Sequence, residues 1–364
     1  MSPLLVARRA RTILRVWGRD PVKMVQGLAT ADIQAAGPDR AVYTAFLTPK
    51  GRMVADARVL VRPGGHDPPE LLLITEPVAA PGLLEHLRKF IPPLFARFED
   101  VSADWRVLGA YGDGASRAAS AGLAALGIGG SLSPDAQEDT VGARSAEPPV
   151  LAVRSGWTGG DGWDLLVGGG ALPAVEAALA EAGAESVTEE ELEPLRIAAG
   201  VPRWGHDLTE DVIPLEAGLL GAISQTKGCY TGQEVIVRIL HRGHVNRHLR
   251  ALEFSGESPE PGAELFEPGN EKPRGTVTSA AGGRGLGYVL ALSVLITFLG
   301  AGGMLARPRV AGGRHPCRSL SRQRLLPRRQ AVGHHRLLFR LQRPPRLRSR
   351  HLPQRLVLRA RQQL

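Results

Sequence analysis

The chain has 364 residues, with 45 Lys and Arg, 36 Asp and Glu, 10 His and only 2 Cys. At roughly 100 to 200 residues per domain, that length predicts two domains or one elaborate one with an ample core. Two cysteines, Cys229 and Cys317, exclude a disulfide-stapled secreted scaffold and a Cys-rich zinc module, and a reducing compartment is the expectation.

The net charge of +9 suggests a nucleic-acid binder until it is located. No acid follows Glu271, the last 58 residues hold 17 Arg, and residues 1–306 carry 28 basic against 36 acidic side chains, so the body is acidic and the tail alone is basic. Arg8, Arg9, Arg11 and Arg15, with no acid among them, hint at a transit peptide. Residues 12–17 (T-I-L-R-V-W) read as a strand, however, and Asp20 before Pro21 offers an N-cap with Pro at the first helical position. The fold is expected to start almost at once, with no cleaved leader.

Between residues 41 and 61, two strand-like runs flank T-P-K-G (48–51), a hairpin signal. Alternation puts Arg52, Asp56, Arg58 and Arg62 on one face and Met53, Ala55, Ala57 and Val59 on the other. A strand at 71–75 leads into a helix opened by Pro81, with Leu83, Leu84, Leu87 and Phe90 at helical spacing and Pro92-Pro93 as its stop. Strands and helices mix without a βαβ repeat, which predicts an α+β fold.

Residues 112–148 read as a helix followed by a long loop. Residues 154–164 then pack four glycines and two tryptophans into eleven positions. This is either a turn where backbone approaches something closely or a hairpin loop whose indole rings cap the core. Two helices are predicted at 174–182 and 194–199, each closed by a glycine, Gly183 and Gly200. Strands at 249–254, 275–278 and 285–289 predict a small β-barrel. The 22 residues 285–306 carry no charge, and a helix of that length at ~1.5 Å per residue would span a ~30 Å bilayer core. Five glycines in the run and the lack of an export signal for the acidic body argue against an anchor.

The richest segment is Q-T-K-G-C-Y-T-G-Q-E-V-I-V-R-I-L-H-R-G (225–243). Thr231 and Glu234 have capping-box spacing ahead of Val235, Ile236, Ile239 and Leu240. Cys229 then precedes a helix start beside Lys227, where dipole and ammonium favour a thiolate; the alternative is a buried thiol acting as a small apolar residue. His241, His244 and His248 are spaced by three and four, but Gly243 interrupts them and no acid or Cys completes a set, so no metal is expected. Arg238, Arg242, Arg247 and Arg250 suit carboxylates or phosphates, or else form a solvated basic helix end.

K-G-C-Y-T-G-Q-E (227–234), preceded by P-L-E-A-G-L-L (214–220) and followed by H-R-G and Asn246-Arg247, resembles the signature of the YgfZ family of folate-binding proteins, relatives of the glycine-cleavage T-protein. R-I-A-A-G-V-P (196–202), the turn at 154–163, Q-G-L-A-T-A-D-I (26–33) and P-K-G-R-M-V-A-D (49–56) are similar in place, and the resemblance covers about residues 10–290. It implies a ring-shaped, GcvT-like α+β body over 1–245 and a C-terminal antiparallel β-barrel, incomplete here, over 246–291. It further implies tetrahydrofolate in a central cavity, with Asp56, Arg154, Trp157, Trp163, Arg196, Arg238 and Arg247 as the candidate binding residues. Aromatic rings can sandwich a pterin, and a carboxylate can accept from its ring nitrogens.

The same resemblance implies support for iron-sulfur enzymes or assembly factors, an indirect part in tRNA modification, and a functional thiol at Cys229 accompanied by Lys227. Aminomethyltransferases of the group carry Asp-Asp where this chain has Ala55-Asp56, a Glu where it has Ala198, and no motif cysteine. These departures favour the YgfZ type over a T-protein-like aminomethyltransferase, with an RNA-binding adaptor as a third reading. A cytoplasmic monomer is expected. Residues 292–364 read as an Arg-rich tail outside the evolved fold, disordered or out of frame.

Overall fold

The computed structural model describes residues 2–254, 257–266 and 272–291, and the backbone of two short strands further on, Arg340–Gln342 and Leu356–Arg359. The chain runs through β1 (Leu5–Arg9), β2 (Thr12–Trp17), α1 (Pro21–Gln26), β3 (Val42–Leu47), β4 (Met53–Val61), β5 (Leu71–Thr75), α2 (Ala80–Phe90) and β6 (Arg97–Asp100). Next come β7 (Trp105–Tyr111), α3 (Ala115–Ala124), β8 (Val141–Ala146), β9 (Pro149–Arg154), β10 (Gly162–Gly168), α4 (Leu172–Glu181), β11 (Glu185–Val187), α5 (Glu189–Ala199) and α6 (Gln233–Arg242). The last elements are β12 (Arg247–Glu253), β13 (Glu264–Phe266), β14 (Pro273–Ala281), β15 (Arg284–Leu290), β16 (Arg340–Gln342) and β17 (Leu356–Arg359).

Two sheets carry the body: a six-stranded one in the order β11-β1-β7-β10-β9-β8, antiparallel except for β1 with β11, and a five-stranded antiparallel one in the order β3-β4-β5-β2-β6. Each strand presents alternate residues to opposite faces. On β10, Trp163, Leu165 and Val167 pack with Ala115 and Ala119 of α3 and Val175 and Leu179 of α4. Leu166 faces the other way and joins Val107, Leu151 and Val153 against Ile13, Leu60 and Leu72 of the second sheet. The outer face of that sheet, with Met53, Ala55 and Val59, packs on Leu83 and Leu87 of α2. The two sheets therefore face each other, and the space between them is where a site can form.

The β4 alternation and the helix at 80–90 agree with the sequence reading. Three elements differ. The expected loop over 112–148 contains β8, held by pairing with β9 rather than by its own pattern. Helix α5 starts at Glu189, five residues before Pro194, because Thr188 Oγ1 accepts from Glu191 N while the Glu191 carboxylate accepts from Thr188 N, a reciprocal cap with three Glu in the first turn. The capping box expected at Thr231 does not form; Gly232, at φ +81°, is the N-cap of α6 and no side chain caps it.

The C-terminal strands make a sheet ordered β12-β15-β14-β13-β17-β16. Among the described residues no pairing joins its two edges into the expected barrel. Strand β15 occupies the start of the uncharged run at 285–306, and no helix among the described residues is long and apolar enough to cross a membrane. Apart from the backbone of β16 and β17, the tail lies outside the described residues.

Candidate functional site

Between the two sheets lies a cavity of about 210 Å³, many times the ~10–15 Å³ that one water requires. Its apolar lining includes Ile74, Val107, Val153 and Leu166, and Gly218, Leu219, Gly221 and Ala222 also line it. Its polar groups come from five places: Arg9 and Arg11 at the β1–β2 junction, Tyr43, Asp56 and Arg58 on the β3–β4 hairpin, Thr75 and Glu76 at the end of β5, Glu138 and Asp139 before β8, and Ser155, Trp157 and Asp164 around the β9–β10 hairpin.

The hairpin register explains the middle group. Tyr43 pairs with Arg58 and Ala45 with Asp56, so Tyr43, Asp56 and Arg58 share the cavity face of adjacent strands. Arg58 is held by Glu138 at 3.0 Å, Asp139 at 2.7 Å and Asp164 at 3.2 Å. Arg9 reaches Asp164 at 3.1 Å and Glu189 at 3.3 Å, and its guanidinium stacks 3.9 Å above the Trp157 ring. Arg11 contacts Glu76 at 3.1 Å and Glu189 at 2.8 Å. Burial opposes ionisation of Asp164, but Arg9 and Arg58 beside it hold its carboxyl down at about 2. Arg9, Arg11 and Arg58 are thus ion-paired with acids of the cavity wall and its surroundings.

Asp56 differs from the other wall carboxylates. It makes no ion pair with Arg52, which turns to Asp211, or with Arg58; its partner is the Tyr43 hydroxyl, which donates to Oδ2 at 2.7 Å. Its Oδ1 is buried with no hydrogen-bond partner among the described residues, and so is the indole Nε1 of Trp157. Burial pushes the Asp56 carboxyl up to about 6, against the pull of the Tyr43 hydrogen bond. An acceptor from the β3–β4 hairpin and a donor from the β9–β10 hairpin, both lining the cavity, are thus unsatisfied, an arrangement that calls for a partner.

Five of the residues expected at the cavity lie elsewhere. Trp163 sits one position from Asp164 and so faces the helices, donating from Nε1 to Ser116 Oγ at 2.9 Å. Arg154, paired with Trp163 across the hairpin, shares that face and braces the turn through the carbonyls of Gly162, Gly160 and Pro134. Arg196 is fully buried against Asp207 at 2.7 Å and donates to Ser279 Oγ at 3.0 Å, tying α5 to β14. Arg238 is exposed and pairs with Glu234 one turn earlier. Arg247 binds Glu216 at 3.2 Å over the Tyr288 ring. The residues the sequence reading missed, Tyr43, Arg9, Arg11 and Asp164, had a legible signal only in strand parity.

Cys229 is free and exposed, which settles the burial alternative. Lys227 does not serve it as a hydrogen-bond donor: its Nζ donates to the carbonyls of Gln26, Ala29 and Ala31 at 2.6, 2.7 and 2.9 Å, which uses all three protons. Burial pulls the Lys227 ammonium down to about 8. No group of three or more metal-ligating side chains occurs among the described residues.

Facing sheets around a buried polar cavity define an aminomethyltransferase-like architecture. The glycine cleavage system aminomethyltransferase T from Bartonella henselae has this fold, with a TM-score of 0.68 over 80% of this chain and 79% of that one at 19% identity. Residues 11–227 match the GCVT N-terminal domain, more than half of the chain, and the chain belongs to that family. Curated relatives include the mitochondrial iron-sulfur cluster assembly factor IBA57 homolog of Mycosarcoma maydis, 29% identical over 71% of this chain and 59% of that protein. A putative chloroplastic transferase of Arabidopsis thaliana is 28% identical over 76% and 62%, and the aminomethyltransferase of Moorella thermoacetica is 30% identical over 78% and 75%. The chain thus spans about six-tenths of the length of the first two.

Proposed function

We propose that this protein binds a reduced folate in the central cavity and supports iron-sulfur enzymes or their assembly, in the manner of the YgfZ type, rather than transferring aminomethyl groups. The observation that carries the reading is the unpartnered Oδ1 of Asp56 on the cavity wall. A pterin presents adjacent ring N–H donors, which an ionised carboxylate satisfies. Trp157 supplies a flat ring and a free N–H, and Arg9 stacked behind it fixes its orientation. Ile74, Val107 and Leu166 exclude water from the ring, which strengthens each polar contact made there. Tetrahydrofolate, when bound, supplies nitrogens able to carry a one-carbon unit.

Likeness to the iron-sulfur assembly factor supports the client class, and the exposed Cys229 supplies a thiol outside the cavity. Ala55 and Ala198 stand where the transferases that the chain resembles carry acids. The same reading makes the protein a cytoplasmic monomer acting on tRNA modification only through its clients. A transferase is the second reading, favoured by the similarity to the Moorella thermoacetica protein.

Calorimetric titration with tetrahydrofolate at low and high salt tests the proposal. Saturable binding that Asp56→Asn weakens tenfold or more, without turnover of a lipoyl-aminomethyl donor, is the expected result. Turnover of that donor would establish the transferase, and salt-steep RNA binding without folate affinity would establish an adaptor.

A further inference from the structure

A second cavity, of about 370 Å³, lies between the segment 215–220, α6 and β12, and Gly218 belongs to the wall of both cavities. Leu215, Leu220, Ile239, Leu240 and Leu249 make it apolar. Its titratable groups are Glu216, His244, His248 and Arg250. Glu216 is already committed, its Oε2 accepting from Arg247 Nε and from Ile213 N, each at 3.2 Å.

Arg250 has no such commitment. Its Nε is buried without a partner, and no described residue gives the guanidinium a hydrogen bond or an ion pair. The contrast is with arginines such as Arg117 and Arg242, which lie in water. Burial lowers the Arg250 pKa and no acid offsets it, while burial and the neighbouring Arg250 keep His248 in its neutral form. Arg250 is half-buried, and its Nε, buried in an apolar wall with no acceptor and no counter-charge beside it, is an open donor that an anion on the guanidinium would satisfy. With one planar fork and a neutral imidazole beside it, the charge matches a monoanion better than a phosphate dianion.

We propose that this cavity is a second ligand site that takes an organic carboxylate, its head on Arg250 and its apolar body along Ile239 and Leu240. Two sources could present that group: a free apolar acid, or the glutamyl end of a ligand seated in the central cavity across Gly218. The second source rests on the folate reading above, and the first does not.

The probes are 4-phenylbutyrate, and tetrahydrofolate as mono- and triglutamate, titrated into the full chain by calorimetry. If the free acid is the source, phenylbutyrate binds, Arg250→Gln weakens it at least tenfold, Arg250→Lys loses less, and Asp56→Asn changes nothing. If the glutamyl end is the source, Arg250→Gln weakens the triglutamate at least tenfold and leaves the monoglutamate unchanged. Failure of all folates to bind sinks the folate reading and leaves the phenylbutyrate comparison standing. Phenylglyoxal labelling read by peptide mass gives the second measurement: Arg250 reacts in the native chain and the bound probe protects it. An Arg250 that does not react, or both probes indifferent to Arg250→Gln in a variant that melts at or above the wild-type temperature, overturns the proposal.

Discussion

A Cβ placed on Gly232 would lie 3.3 Å from the Cα of Gly51 and 2.5 Å from the carbonyl oxygen of Thr48. The turn of the β3–β4 hairpin is pressed against the start of α6, and a Cβ on Gly51 would in turn meet the Val235 Cβ at 2.8 Å. Two motifs far apart in sequence, P-K-G-R and K-G-C-Y-T-G-Q-E, are therefore one packing unit. It joins the strand that carries Asp56 to the loop that carries Cys229.

Gly232 also has a φ of +81°, so an alanine there meets both strain and a clash. Gly232→Ala is expected to destabilise by about 1–3 kcal/mol, read from the urea midpoint. Gly228, four residues earlier in the same motif, has open space around it and no positive φ, and Gly228→Ala is expected to stay within about 0.5 kcal/mol. Equal effects at the two positions would show that the packing unit is absent.

The Asp56 carboxyl titrates near 6 in the folded chain against 3.8 for the free side chain. Between those values the folded state holds more protons than the unfolded state, so stability falls as pH rises through that window and levels off above it. Asp56→Asn removes this penalty, and its stability relative to wild type should rise by roughly 1–3 kcal/mol from pH 4 to 7.5. Melting curves at the two pH values test this. The folate affinity proposed for the ionised form should rise over the same interval.

The Arg196–Asp207 pair is buried on both sides, and Asp207 also accepts from the hydroxyls of Thr278 and Ser279. Removing one charge strands the other, so Arg196→Met is expected to cost about 3–5 kcal/mol. Any loss of ligand affinity should track the unfolded fraction. An Arg196→Met chain of wild-type stability with specific loss of folate binding would return Arg196 to the pocket.

The two tryptophans of the hairpin should separate cleanly. Trp157→Phe removes a free indole N–H at the cavity and should weaken ligand binding with little change in melting. Trp163→Phe leaves Ser116 Oγ without its donor and a gap in the helix-facing core, at a cost of about 1–3 kcal/mol with affinity unchanged. Ligand quenching of fluorescence should disappear only in the Trp157 variant.

Lys227 is a clamp on three carbonyls of the 26–31 loop. Lys227→Met should destabilise by about 2–3 kcal/mol, while alkylation of Cys229 in the native chain proceeds without denaturant in both proteins. Labelling that requires denaturant would contradict the exposed placement of the thiol.

The hairpin of β3 and β4, the amphipathic α2 and the strands after Arg247 were legible in the sequence, because their alternation and turn residues act over a few positions. The glycine and cysteine motif near residue 230 was legible as a resemblance, and Asp56 was placed on the correct strand face by parity. Trp163 and Asp164 show where local pattern stops: adjacent on one strand, they take opposite faces by alternation, and which of the two meets the cavity is decided only by the layer that packs on each side. The same holds for Arg9 and Arg11, whose partners Glu76, Asp164 and Glu189 come from distant parts of the chain and could not be read from the basic run itself. Local patterning fixes what a segment can become, since propensity and periodicity are short-ranged. Which charge is compensated and which is left open, Asp56 at one cavity and Arg250 at the other, depends on contacts among residues far apart in the chain, and only the tertiary structure decides it.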